Sequence, residues 1–323
     1  LTEYIAPILT KLFNESITDH KYPDALKFTK VIELYKKKDR TIPSNYRPIS
    51  LLPLIAKLLD TIVNKQIMTH LLKHNMLSRT QYAFRPHSST TVALQTVFNK
   101  LYENRSKHRP TLAIYVDLSK AYDTVEHEKL LEKLENDFNF SKGTCYFFRS
   151  YFQNRTQSLH TQHAESEIRT ITHGIPQGST LSTTFFLLYI NDIIPAVPDS
   201  DVYTYADDTT LIVTTPTLDQ LQPLAQTELT KLITYFYANN LVPNPKKTVY
   251  SIFYPTPAQD IELKIEERNL EHKTEAQLLG IKVQNNLKHH HTIINITKKL
   301  QPIIQSFKYA NKLLHPTTML NLY

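Results

Sequence analysis

The stretch Val202-Tyr203-Thr204-Tyr205-Ala206-Asp207-Asp208-Thr209-Thr210-Leu211-Ile212-Val213-Thr214 reads as two β-rich runs, 202–206 and 209–214, with two adjacent acids at their junction. Aromatic and β-branched residues favour strands, and a short polar break between two such runs marks a hairpin. The tip of that hairpin carries Asp207 and Asp208. Upstream, the nearly continuous apolar run Thr111-Leu112-Ala113-Ile114-Tyr115-Val116 ends on Asp117, a pattern that predicts a buried strand delivering a carboxylate at its end. If these strands are neighbours in one sheet, three carboxylates converge. Clustered acids resist ionising together unless a cation neutralises them. Hard oxygen ligands suit Mg²⁺, and two such ions can activate an attacking hydroxyl and stabilise a leaving pyrophosphate. An Asp-Asp pair by itself more often just makes a turn, so the weight falls on what surrounds it.

The chain has 323 residues, 41% apolar and 21% charged, a composition that belongs to folded proteins of two or three domains. Its one cysteine, Cys145, can close no internal disulfide and build no Cys-rich zinc site, which favours a reducing compartment. The longest purely apolar run, 185–190, is six residues, against roughly 18 for a membrane span, so no membrane partner is expected. Lys and Arg exceed Asp and Glu by 37 to 30, which suits a nucleic-acid or phosphate partner. The chain opens at Leu1 and reads as a fragment.

Residues 3–17 and 54–63 place apolar side chains at helical spacing, Ile5, Ile8, Leu9 and Leu12 in the first, Leu54, Ile55, Leu58 and Ile62 in the second. Between them lies the basic loop Lys36-Lys37-Lys38-Asp39-Arg40 and then Asn45-Tyr46-Arg47-Pro48-Ile49-Ser50, where Pro48 biases Arg47 towards extended backbone. Further helices are predicted at 91–102, 125–134, 179–194, 218–237 with an interruption near Pro223, and 293–314. A strand pair is expected at 158–162 and 168–172, with single strands at 249–253 and 278–283.

Six blocks carry a resemblance: Asn45-Tyr46-Arg47-Pro48-Ile49-Ser50-Leu51, Gln81-Tyr82-Ala83-Phe84-Arg85, Val116-Asp117-Leu118-Ser119-Lys120-Ala121-Tyr122-Asp123, Gly174-Ile175-Pro176-Gln177-Gly178-Ser179, Tyr205-Ala206-Asp207-Asp208-Thr209 and Leu279-Gly280-Ile281. In this order they resemble the reverse transcriptases of non-LTR retrotransposons, most closely LINE-like and Jockey-like elements. The resemblance implies an α+β right-hand polymerase core. Fingers would occupy 1–110 with an insertion at 129–165, a palm with an antiparallel sheet 111–286, and a partial helical thumb 287–323. The implied reaction is RNA-directed DNA synthesis, with an RNA template, a DNA primer and deoxynucleoside triphosphates as partners. The implied setting is intracellular, in the nucleus or a cytoplasmic ribonucleoprotein.

By the same resemblance Asp117, Asp207 and Asp208 hold two Mg²⁺ ions, with Mn²⁺ as the alternative metal. Tyr122 becomes the gate under the sugar, since a ring there leaves no room for a 2′-hydroxyl. Gln177 borders the incoming nucleotide and the template base. Lys38, Arg40 and Arg47 are fingers contacts to the triphosphate, Arg47 foremost because its fork matches phosphate oxygens. Arg85 is expected on the template, and Lys247, in Asn244-Pro245-Lys246-Lys247-Thr248, is the candidate acid for the pyrophosphate leaving group. Lys288, Lys298, Lys299, Lys308 and Lys312 would grip duplex phosphates. The chain departs from its relatives at Ser182-Thr183, where they usually have Gly-Pro, and in having no tryptophan. The rival readings are an RNA-dependent RNA polymerase or intron maturase on the same palm, which Tyr122, Ala206 and the Asn-Tyr-Arg-Pro-Ile-Ser block disfavour, and an inactive element remnant that only binds RNA.

Overall fold

A computed structural model describes residues 2–36, 39–161, 164–254, 261–288 and 290–310. In chain order it runs α1 (Thr2–Thr18), β1 (Phe28–Tyr35), β2 (Tyr46–Leu51), α2 (Leu54–Lys73), α3 (Thr90–Ser106), β3 (Thr111–Val116), β4 (Leu118–Ser119), α4 (His127–Asn136), α5 (Lys142–Phe152), β5 (Thr156–His160), β6 (Arg169–Thr170) and α6 (Thr180–Tyr189). It continues with β7 (Asp201–Tyr205), β8 (Asp208–Thr214), α7 (Leu221–Ala238), β9 (Val242–Pro243), β10 (Val249–Phe253), β11 (Lys264–Ile265), β12 (Arg268–Asn269), β13 (Glu271–His272), β14 (Glu275–Leu278), β15 (Ile281–Gln284) and α8 (His290–Ala310).

The apolar run 111–116 becomes the middle strand of a five-stranded sheet ordered β13-β10-β3-β8-β7. All six residues of β3 are buried because both of its faces are covered. Side chains alternate across a strand. Leu112, Ile114 and Val116 therefore enter the large core with α2, α6 and α7, while Ala113 and Tyr115 pack on the other face with Leu94, Val97 and Leu101 of α3. That double burial is why the run shows no alternation in sequence. Strands β10, β3, β8 and β7 are antiparallel throughout.

A second sheet, β2-β1-β5-β6, is built from the N-terminal segment and from the chain after α5. Strands β1 and β5 pair parallel, Val31 opposite Leu159. The expected partnership of the two runs after residue 155 also forms, with Thr156 opposite Thr170 in β5 and β6. Helix α6 lies between α2, α4 and the main sheet, and eight of its ten residues are buried.

Several expectations change, among them the helix expected at 179–194, which ends at Tyr189. Helix α7 is not interrupted at Pro223, which sits in its first turn where the missing N–H would have no intrahelical partner. The apolar stretch 278–283 is not one strand: Leu279 (φ 46°) and Gly280 (φ 84°) turn it into the β14–β15 hairpin, with Leu278 opposite Ile281. The last helix begins at His290 and is described to Ala310, so its expected end at 314 and Lys312 lie outside the described residues.

Candidate active site

Asp117 leaves β3 where two backbone clamps hold it. Its N–H donates to the hydroxyl of buried Thr248 (3.3 Å), and its carbonyl accepts from the N–H of Asn244 (2.8 Å). The block 244–248 thus does more than present lysines, because its own turn, Thr248 N–H to Asn244 carbonyl, locks the strand end that carries the first acid. Thr248 was not singled out in the sequence. A threonine hydroxyl one residue past a lysine pair gives no signal there.

Strands β3 and β8 pair with Val116 opposite Thr209, so one further step of the register sets Asp117 against Asp208. Strands β7 and β8 close at Tyr205 opposite Asp208. The tip is therefore Ala206-Asp207, and Asp208 already belongs to β8, which corrects the expectation that both acids sit on the turn. Ala206 has φ 55°, in the left-handed region that disfavours a side chain with a Cβ.

Asp208, inside β8 and in register with Asp117, shares that residue's face of the sheet, and the two neighbouring acids have different surroundings. Asp208 lines a cavity of about 380 Å³ together with Asp117, Lys247 and residues of the β14–β15 hairpin. Asp207 does not line it. The charges of Arg47 and Lys247 reach Asp207, and its own charge reaches Tyr122. Burial, with Asp207 and Asp117 adding repulsion, pushes the Asp208 carboxyl up to about 6. Burial and Asp117 also raise Asp207, partly offset by a hydrogen bond from its own backbone and then by Arg47 and Lys247.

Lys247 Nζ lies 3.1 Å from Asp117 Oδ2. Among the described residues no three metal-ligating side chains stand close enough together to hold an ion as they are. The donor set nevertheless fits a hard divalent cation: three crowded carboxylates, of which burial and repulsion raise Asp207 and Asp208, with Asp117 and Asp208 on one cavity and a lysine ammonium already resting against Asp117.

The other predicted residues divide into those the fold gathers and those it does not. The Tyr122 ring stacks on Phe186 of α6, centroids 4.7 Å apart, and burial with Asp207 raises its phenol well above the ordinary range. The loop holding it is zipped to the Gly174–Gly178 segment by Ile175 N–H to the Tyr122 carbonyl (2.9 Å) and Gly174 N–H to the Val125 carbonyl (2.8 Å). Gln177 Nε2 donates to Asp123 Oδ1 (3.0 Å), and the Gln177 carbonyl accepts from Ser50 N–H (2.7 Å). A Cβ on Gly178 would run into the Ser50 carbonyl, so this close approach requires glycine. Behind it Ser179 caps α6 and donates to Asp60 Oδ2 (2.5 Å), while Tyr22 donates to Asp60 Oδ1 (2.9 Å). Asp60 and Tyr22 were missed because a lone acid inside a helical pattern looks like a surface charge.

Arg47 is exposed on β2 and lies near enough to influence Asp207. Arg40 stands over the Tyr35 ring at 5.0 Å. Arg85 is turned inward: its Nη1 donates to the carbonyls of Ser78 and Gln81, tying its own loop together. Lys38 lies outside the described residues.

Comparison with known proteins gives this geometry a setting. The chain is 27% identical over 220 residues to the RNA-directed DNA polymerase from mobile element jockey of Drosophila melanogaster, covering 66% of this chain and 24% of that protein. It is 24% identical over 295 residues to the probable RNA-directed DNA polymerase from transposon BS of the same species, covering 86% of this chain and 32% of that protein. The chain thus spans a quarter to a third of the length of these curated relatives. Among solved structures, telomerase from Candida albicans in complex with a telomeric RNA fragment aligns over 86% of this chain and 48% of that one, with a TM-score of 0.56 and 13% identity. Apo telomerase from Candida tropicalis truncated of its C-terminal domain aligns over 82% of this chain and 55% of that one, with a TM-score of 0.55 and 14% identity. At that identity the likeness concerns the fold, that of a polymerase core. Residues 35–283, which run from the end of β1 through the acids to β15, match the family described as reverse transcriptase (RNA-dependent DNA polymerase), and to that family the chain belongs.

Proposed function

We propose that the chain is the polymerase core of a non-LTR retrotransposon reverse transcriptase, adding deoxynucleotides to a primer 3′-hydroxyl on an RNA template. The observation that carries this reading is the meeting of Asp117 and Asp208 on one cavity beside Lys247, with Asp207 on the adjoining side towards Tyr122 and Arg47. The three acids would hold two Mg²⁺ ions, which lower the pKa of the attacking hydroxyl and neutralise charge on the leaving pyrophosphate.

The chain's own groups divide the remaining work. Arg47 offers a fork to the triphosphate, Tyr122 closes the space below the sugar, and the Gln177 loop borders the nascent base pair. Lys247, freed from Asp117, donates a proton to the pyrophosphate as it leaves. In this reading residues 1–110 with the insertion at 129–165 serve as fingers, 111–286, which hold the five-stranded sheet, as palm, and α8 as the start of a thumb. The partners are an RNA template, a DNA primer and deoxynucleoside triphosphates, within an intracellular ribonucleoprotein. No helix among the described residues is long and apolar enough to cross a membrane.

Primer extension on an RNA template, with Mg²⁺ present or chelated, tests the proposal. Extension that needs the metal and disappears in Asp117→Ala supports it. A folded protein that binds the template and extends nothing with Mg²⁺ or Mn²⁺ would instead be the RNA-binding remnant.

A further inference from the structure

Gln81 is 3% exposed, in the segment between α2 and α3, and the mechanism above gives it no part. That segment runs beside β7: Thr204 N–H donates to the Thr80 carbonyl (2.9 Å) and Tyr82 N–H to the Thr204 carbonyl (3.0 Å). The Gln81 side chain then reaches past the strand to the acid-bearing tip. Its Oε1 accepts two backbone N–H groups, from Ala83 at 2.9 Å and from Ala206 at 3.2 Å. Two converging donors require an acceptor between them, which fixes which way the amide faces. The consequence is that Nε2 is buried with no hydrogen-bond partner among the described residues.

As packing material this is a poor choice, since an apolar side chain of the same length would fill the space without burying an unpaired donor. The arrangement makes sense through Ala206. That residue holds φ 55°, it packs with Ala83 and Leu187 in a small separate cluster, and Asp207 and Asp208 follow it directly. Left-handed backbone at alanine persists only where its surroundings over-determine it.

We propose that Gln81 is a positioning residue for the acid pair: its side-chain carbonyl holds Ala206 in the left-handed conformation of the turn that presents Asp207 and Asp208. The proposal deepens the polymerase reading, but metal binding tests it without polymerase activity.

The experiment compares wild type, Gln81→Met, Ala206→Gly and the double variant. Mn²⁺ binding is followed by the electron paramagnetic resonance of the free ion, alongside the rate of single-nucleotide addition. Methionine keeps the length and removes the acceptor, whereas glycine adopts the left-handed conformation unaided. Gln81→Met is expected to weaken Mn²⁺ binding and slow addition by about tenfold or more, the scale of a misplaced reacting group. In the Ala206→Gly background the same change should cost about threefold or less, because the two residues act on one conformation. Equal losses in both backgrounds, or wild-type Mn²⁺ binding in folded Gln81→Met, would overturn the assignment.

Should Gln81→Met not fold, Gln81→Asn shortens the reach by one methylene, and hydrogen exchange at the Ala206 amide should quicken while the β3 amides keep their protection. An unchanged Ala206 rate in that variant refutes the proposal. A wild type that shows the coupling in Mn²⁺ binding yet never extends a primer would sink the polymerase reading and leave this one standing. An active wild type without the coupling does the reverse.

Discussion

Lys247 and Asp117 form an ion pair, Nζ to Oδ2 at 3.1 Å, between the candidate proton donor and the first acid of the site. The lysine side chain is 65% exposed, so the pair adds at most about 1 kcal/mol and yields readily to a divalent cation. Lys247→Ala should tighten Mn²⁺ binding by no more than about fivefold, the equivalent of that energy. It should also slow nucleotide addition by on the order of 10²-fold or more if the ammonium is the acid. An unchanged addition rate in pre-steady-state quench experiments removes Lys247 from the chemistry.

Tyr122→Ala opens the space beneath the sugar. Ribonucleotide use should rise against deoxynucleotide use by at least about tenfold, roughly 1.4 kcal/mol of lost discrimination. Tyr122→Phe keeps the ring stacked on Phe186 and should keep the discrimination, as competition assays with paired nucleotides would read directly.

The crowded acids also set a pH dependence. Asp208 has its carboxyl pushed up to about 6 from an ordinary 3.8, so in that window the folded chain holds more protons than the unfolded one. Stability of the metal-free protein therefore falls as pH rises from about 4 to about 6. Asp208→Asn should raise the metal-free Tm at pH 7.5 and flatten its decline between about pH 4 and 6. Saturating Mg²⁺ should narrow the difference. A scanning calorimetry series with parallel slopes for both proteins would contradict the assigned shift.

Behind the Gln177 loop, Ser179→Ala removes the α6 cap and leaves Oδ2 of fully buried Asp60 without its hydroxyl. A cost of about 1–3 kcal/mol in urea unfolding is expected. The nucleotide KM should rise more than the extension rate falls, because the loop moves and the acids do not. Ser179→Thr, which keeps the hydroxyl, should recover most of both.

Lys298, Lys299 and Lys308 are exposed on α8. If they grip duplex phosphates, each removal should reduce the slope of log K against log salt by about 0.9. Lys298→Ala with Lys299→Ala should shorten products made in the presence of a heparin trap while leaving first-nucleotide addition unchanged. A wild-type slope in fluorescence anisotropy would separate this helix from the duplex.

The palm strand and the acid hairpin were legible because they carry strong local signals. The run 111–116 is too apolar to face water, and 202–214 breaks only at its acids. The site's supports were not legible. Thr248 acts on Asp117 across 131 residues of chain, and Ser179 on Asp60 across 119, separations that no local pattern reports. The Pro223 and 278–283 expectations failed for a different reason. Proline is harmless in a first helical turn, and a two-residue turn at Leu279-Gly280 is hidden when its flanks are apolar on both sides.

Strand β3 sits between β8 and β10, and both are made after it. A ribosome adding about 5–20 residues per second needs roughly 7–30 s to travel from Asp117 to Phe253. Leu112, Ile114 and Val116 have no strand to pair with until β8 is made, and the other edge of β3 stays open for the whole interval. The nascent chain must shelter this segment, on its own helices or on a chaperone, until β10 emerges and closes the second edge. Translational pauses placed between the codons of Thr214 and Val249 should therefore cost soluble yield more than the same pauses placed after Phe253.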